Sequence, residues 1–68
     1  MRFGAKLKAI RAWREMSQHD LADRVGVPAP LISRIETGLI LPNADLEERI
    51  TEALDWQEAL LEMQETPG

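Results

Sequence analysis

At 68 residues the chain is one domain at most, and at this size apolar burial only narrowly offsets chain entropy unless something staples the fold. It has no cysteine and a single histidine, which excludes a disulfide framework and leaves too few soft ligands for structural zinc, so neither a metal nor another cofactor is expected. The net charge of -4 runs against the basic character usual in polyanion binders, yet it is split: residues 1–38 carry seven basic against four acidic side chains (+3), and residues 39–68 one against eight (-7). No apolar run is long enough to span a bilayer, and the charged opening (residues 1–8) is not followed by a signal-peptide core; the chain reads as soluble, unprocessed and cytoplasmic.

The first predicted helix lies between Phe3 and Met16, where Phe3, Leu7, Ile10 and Trp13 or Arg14 recur at helical spacing with Lys6, Lys8 and Arg11 interleaved. Ser17 followed three residues later by Asp20 is a capping-box pattern, opening a second helix through Leu21, Ala22 and Val25 that Gly26 stops. Only Gly26, Val27 and Pro28 separate it from a third helix over 29–37, ending at Gly38; Pro28 and Pro30 are tolerable there because the first turn has no N–H partners to lose. Two short helices joined by about three residues with a glycine at the corner are the layout of a helix-turn-helix. Leu39, Ile40, Leu41 and Pro42 form an apolar connector, after which Asn43 caps a fourth helix with Leu46, Ile50 and Leu54 on one face. Asp55 and Glu58 repeat the capping-box spacing before a fifth helix over 56–64 with Trp56, Ala59, Leu60 and Met63 on one side, Leu61 off the stripe, and Thr66, Pro67 and Gly68 as a frayed end. Without repeats, low-complexity segments or linkers, the expectation is an all-α, five-helix unit occupying residues 1–68 as a single domain.

Across residues 7–54 the chain resembles the Cro and lambda-repressor-like helix-turn-helix family, also called the XRE family. The resemblance rests on the run SQHDLADRVGVPAPLISRIETG, in which Ser17 and Gln18, Leu21 and Ala22, Val25 to Val27, Ile32 and Ser33, Ile35 and Glu36, and Gly38 match the family's recurrent residue types. It implies a sequence-specific regulator of transcription, of the repressor kind, with the third helix in the major groove of double-stranded DNA and the second crossing the backbone. Carried over residue by residue, Gln18 contacts phosphate and braces the recognition helix, while Ser33 and Arg34 face the groove, with Arg34 able to pair bidentately with guanine. Ala29 and Pro30 stand where the family places polar readers, which leaves them apolar contact such as a thymine methyl; Thr37 replaces a frequent asparagine, and its hydroxyl is placed to meet phosphate. Arg11 and Glu36 match a pair that forms a salt bridge between the first helix and the end of the third.

Other residues take plainer readings: His19 as an exposed helix residue, Trp13 and Trp56 as core or interface, and Lys6, Lys8 and Arg14 as a solvated face or phosphate contacts. Catalysis is not expected, because both serines are explained by caps and helix faces, cysteine and tyrosine are absent, and the one histidine lacks a nucleophile to activate. A competing role is a protein-interaction module, an antitoxin or adaptor, suited by the apolar start of the third helix, the connector and the acidic final helix. One such unit reads only one half-site, so a homodimer on a palindromic operator is expected, its contact built from Leu39, Ile40 and Leu41 with Trp56, Leu60, Leu61 and Met63.

Overall fold

The structure, a computed structural model, describes residues 2–65, with the backbone alone at Glu65; the frayed end expected at 66–68 lies outside the described residues. Five helices follow in order: α1 (Phe3–Trp13), α2 (Gln18–Val25), α3 (Ala29–Glu36), α4 (Ala44–Ala53) and α5 (Trp56–Glu65). There is no strand among the described residues, and none of the described helices is long and apolar enough to cross a membrane.

α1 stops three residues short of the expected Met16. Glu15 turns left-handed at φ 56, and the N–H groups of Glu15 and Met16 donate back to the carbonyls of Ala12 and Arg11, the paired bonds that close a helix C-terminus. The turn frees Ser17 to take an extended backbone and cap α2: its hydroxyl accepts from the Asp20 N–H while the Asp20 carboxylate accepts from the Ser17 N–H. Asn43 caps α4 through its side-chain oxygen on the Leu46 N–H. The second capping box does not form, because Asp55 sits at φ 48 rather than in the extended region an N-cap requires. Asp55 instead ends α4, and α5 begins with the Ala59 N–H donating to the Asp55 carbonyl.

Every helix contributes to one core: Leu7 and Ile10 from α1, Leu21, Ala22 and Val25 from α2, Ile32 and Ile35 from α3, Ile50 and Leu54 from α4, and Trp56 and Ala59 from α5. α3 packs against α1 and α2, α4 against α2, and α5 against α1 and α4. Phe3 stacks on Trp56, ring centroids 5.2 Å apart and planes 7° from parallel, tying the first residue of α1 to the first of α5. Gly4 marks a close approach of α1 to α3. A Cβ there would press against the Ile35 carbonyl oxygen and lie 2.8 Å from that of Glu36, so α1 reaches the last turn of α3 only because residue 4 has no side chain.

Candidate nucleic-acid interface

Gly26 is left-handed (φ 84, ψ 36) and ends α2 with its N–H on the Ala22 carbonyl, and Pro28 then holds an extended backbone (φ -66, ψ 142) as the residue before α3. The chain thereby turns a corner within three residues. Ala29 and Pro30 fill the first two positions of α3, where a missing N–H leaves no intrahelical bond unmade. Once the corner has set its direction, α3 divides by helical period. Ile32 and Ile35 point into the core, and Leu31 and Ala29 are half-buried against it. Pro30, Arg34 and Thr37 are exposed, with Ser33 half-buried, along the opposite stripe. Arg34 makes no ion pair among the described residues, and its carbonyl anchors the turn beyond the helix by accepting from Leu39 N (2.9 Å), Ile40 N (3.3 Å) and Thr37 Oγ1 (3.2 Å). The Thr37 hydroxyl proton is thus committed to the backbone and is not presented to a phosphate in this structure.

The angle of α3 is fixed from behind. Arg11 donates through Nε (2.7 Å) and Nη2 (3.1 Å) to the two oxygens of Glu36, and through Nη1 to the Met16 carbonyl at 2.7 Å. The Glu36 side chain is 3% exposed and that of Arg11 14%, so the pair works in a poorly screened environment. Gln18 Nε2 adds a third bond to Glu36 Oε1 at 3.1 Å. A single carboxylate at the end of α3 therefore gathers donors from α1 and α2. Gln18 occupies the bracing half of the role implied for it, with its amide NH₂ turned to Glu36.

Two arginines act in ways the sequence does not disclose. Arg14 donates to the carbonyls of Leu54 (3.0 Å) and Asp55 (3.3 Å) at the end of α4 and pairs with Glu62 of α5 at 3.1 Å, so it is a bracket across the α4–α5 corner rather than part of a solvated face. Glu62 also accepts from Trp13 Nε1 at 3.1 Å. Arg49 reaches from α4 to the Val25 carbonyl, at the C-terminus of α2 beside the corner (3.2 Å), and pairs with Asp45 (3.5 Å). The one hint is negative: α4 carries no basic residue in its last turn to answer its own carbonyls.

The residues expected at a dimer contact separate into two groups. Leu39 and Leu41 are 78% and 83% exposed and Leu61 59%. Trp56 is only 8% exposed and stacked on Phe3, so its apolar surface is already satisfied within the monomer, and it is withdrawn from that contact. Ile40, Leu60 and Met63 are half-buried against the core, which takes much of the apolar surface they were expected to present.

The architecture defines the class: a three-residue glycine–proline corner, a buried anchor at the far end of the second of its two helices, and an outward stripe on that helix. The family description "Helix-turn-helix domain" matches residues 2–63, and the chain belongs to that family, which is one of binding modules and not of enzymes. Two proteins of Mycobacterium tuberculosis, from strains CDC 1551 / Oshkosh and ATCC 25618 / H37Rv, are each 37% identical over 51 residues and are named uncharacterized HTH-type transcriptional regulators. The matched segment covers 75% of this chain and 36% of each relative, so the chain spans about a third of their length. No solved structure matches it significantly.

Proposed function

We propose that the chain binds double-stranded DNA in a sequence-specific manner and regulates transcription, as a repressor of the Cro and lambda-repressor-like branch of its family, with α3 in the major groove. The observation that carries this reading is Arg34: an exposed guanidinium with no carboxylate partner among the described residues, on the outward stripe of a helix whose other face is locked into the core. The regulator names of the mycobacterial relatives support it. Pro30, Ser33 and Thr37 share the stripe, Gln18 stands at the start of the helix that would cross the backbone, and Ala29 sits at the rim of the contact. A cytoplasmic location goes with this role.

Selecting bound duplexes from a random pool and titrating salt test it together. Several phosphate contacts give a steep log–log decline of affinity with salt, about 0.9 per phosphate neutralised. Arg34→Ala is expected to lose about 1–3 kcal/mol of discrimination at one base pair while retaining affinity for random duplex. Equal loss on both duplexes makes Arg34 a phosphate contact, and no enrichment of any duplex defeats the proposal.

One unit contacts one half-site, so two copies are proposed to share a palindromic operator, meeting through the exposed Leu39, Leu41 and Leu61. Sedimentation at micromolar concentration with and without the selected duplex checks this, and a monomer under both conditions refutes it. The exposure of Leu39 and Leu41 is also what favours the second reading, a protein-binding antitoxin or adaptor. Binding through those leucines is insensitive to salt, unlike binding to DNA.

A further inference from the structure

The outward stripe of α3 pairs an apolar side chain with a charged one, a combination that restricts what can lie opposite. Pro30 is exposed at the second position of the helix. Its ring has no N–H to donate, and its surface is hydrocarbon, so any base-edge donor or acceptor placed against it loses water without gaining a partner. The one apolar feature that a base pair offers in the major groove is the C5-methyl group of thymine, which 5-methylcytosine shares. Arg34 stands one turn further along the same stripe, four residues on, or about 6 Å at about 1.5 Å per residue. With base pairs stacked about 3.4 Å apart, the two side chains meet edges about two steps apart. Arg34's fork of donors is uncommitted among the described residues and matches the O6 and N7 acceptors of guanine.

We propose that each half-site presents a C5-methylated pyrimidine, thymine in unmodified DNA, to Pro30 and a guanine to Arg34 about two base pairs away. The proposal rests on the DNA-binding reading above and adds the identity of the bases. Ser33, half-buried on the flank of the stripe, leaves the contact dominated by one methyl and one guanine. Recognition is therefore predicted to depend on a group that deoxyuridine lacks.

The test begins with duplexes selected by the wild-type chain. In the consensus, each thymine is replaced in turn by deoxyuridine, which removes the methyl and nothing else, and each is also replaced by cytosine and by 5-methylcytosine. The wild type is expected to bind about three- to fourfold more weakly when one particular thymine becomes deoxyuridine, the effect of losing one buried methyl, and to prefer 5-methylcytosine to cytosine at that position. Pro30→Ser, an exposed first-turn change that leaves the core untouched, is expected to bind thymine and deoxyuridine equally. Arg34→Ala is expected to keep the thymine preference and lose that for guanine about two pairs away. A selected duplex bound equally with thymine and deoxyuridine at every position overturns this inference and leaves DNA binding standing, as does a methyl effect that survives Pro30→Ser. Failure to enrich any duplex overturns DNA binding itself.

Discussion

The two halves of the molecule use the same kind of side chain for opposite ends. In α1 to α3, Arg11 turns inward to a nearly buried carboxylate and Arg34 turns outward with no ion-pair partner among the described residues. Around α4 and α5, Arg49 reaches from α4 to the end of α2, and Arg14, just beyond α1, closes the α4–α5 corner, while the carboxylates that crowd this region face mostly solvent. The front half thus fixes geometry with a desolvated ion pair and the rear half with charge-assisted bonds to helix-end carbonyls. Among the described residues no buried side-chain nitrogen or oxygen lacks a hydrogen-bond partner, so the difference lies in kind and not in completeness. Polyanion affinity then cannot be read from net charge, because three of the eight basic side chains are occupied within the fold.

The sharpest way to break this contrast is Arg11→Ala. Removing one partner of a buried pair costs about 3–5 kcal/mol, comparable with the whole stability of a scaffold this small. Urea denaturation is expected to show a largely unfolded chain, and Arg11→Met combined with Glu36→Met to recover most of the loss; a mild single effect would mean the pair is well solvated. Next comes Gly4→Ala, which drives a methyl against the backbone of Ile35 and Glu36 and is expected to cost about 1–3 kcal/mol, read as a lower Tm. Arg14→Ala tests the rear half. Losing the bracket is expected to cost about 1–2 kcal/mol, with amide exchange rising in α5 before α3 and Trp13 fluorescence changing as Glu62 is released. The smallest effect concerns Asp20, whose carboxyl is held below its ordinary 3.8 first by the Ser17 N–H and then by the Ser17 hydroxyl. A lowered folded-state value stabilises fully above 3.8 and is lost as pH falls through that lower value. Denaturation midpoints followed downward from neutral pH are expected to decline slightly less in Asp20→Asn than in the wild type.

The sequence was legible where structure is local. The Ser17 to Asp20 box, the Gly26 stop, the Asn43 cap and the apolar stripes of Leu7, Leu21, Ile32 and Ile50 depend on neighbours within a turn or two, and each stands where its spacing places it. The family resemblance carried Arg11 and Glu36 across 25 positions, which composition alone does not do. What stayed hidden was non-local or conformational. Arg14 and its acceptors lie 40 to 48 residues apart, Gly4 matters only because α3 ends beside it, and Trp56 is taken up by Phe3 from the far end of the chain. Asp55 misleads for a subtler reason: an acidic residue three before a glutamate suits a helix start, but the left-handed backbone that ends α4 excludes it.

Pro28 and Pro30 flank the first residue of α3, and their effect extends beyond allowing the helix to begin. With the rings restricting rotation on either side of Ala29, the leading turn has few alternative shapes to abandon when it meets a rigid surface. An eight-residue helix has little cohesion of its own. Here its tip is stiffened by covalent geometry and its tail is held through Glu36 by Arg11 and Gln18, so on the proposed DNA-binding reading the contact face arrives already set and ordering it costs little backbone entropy.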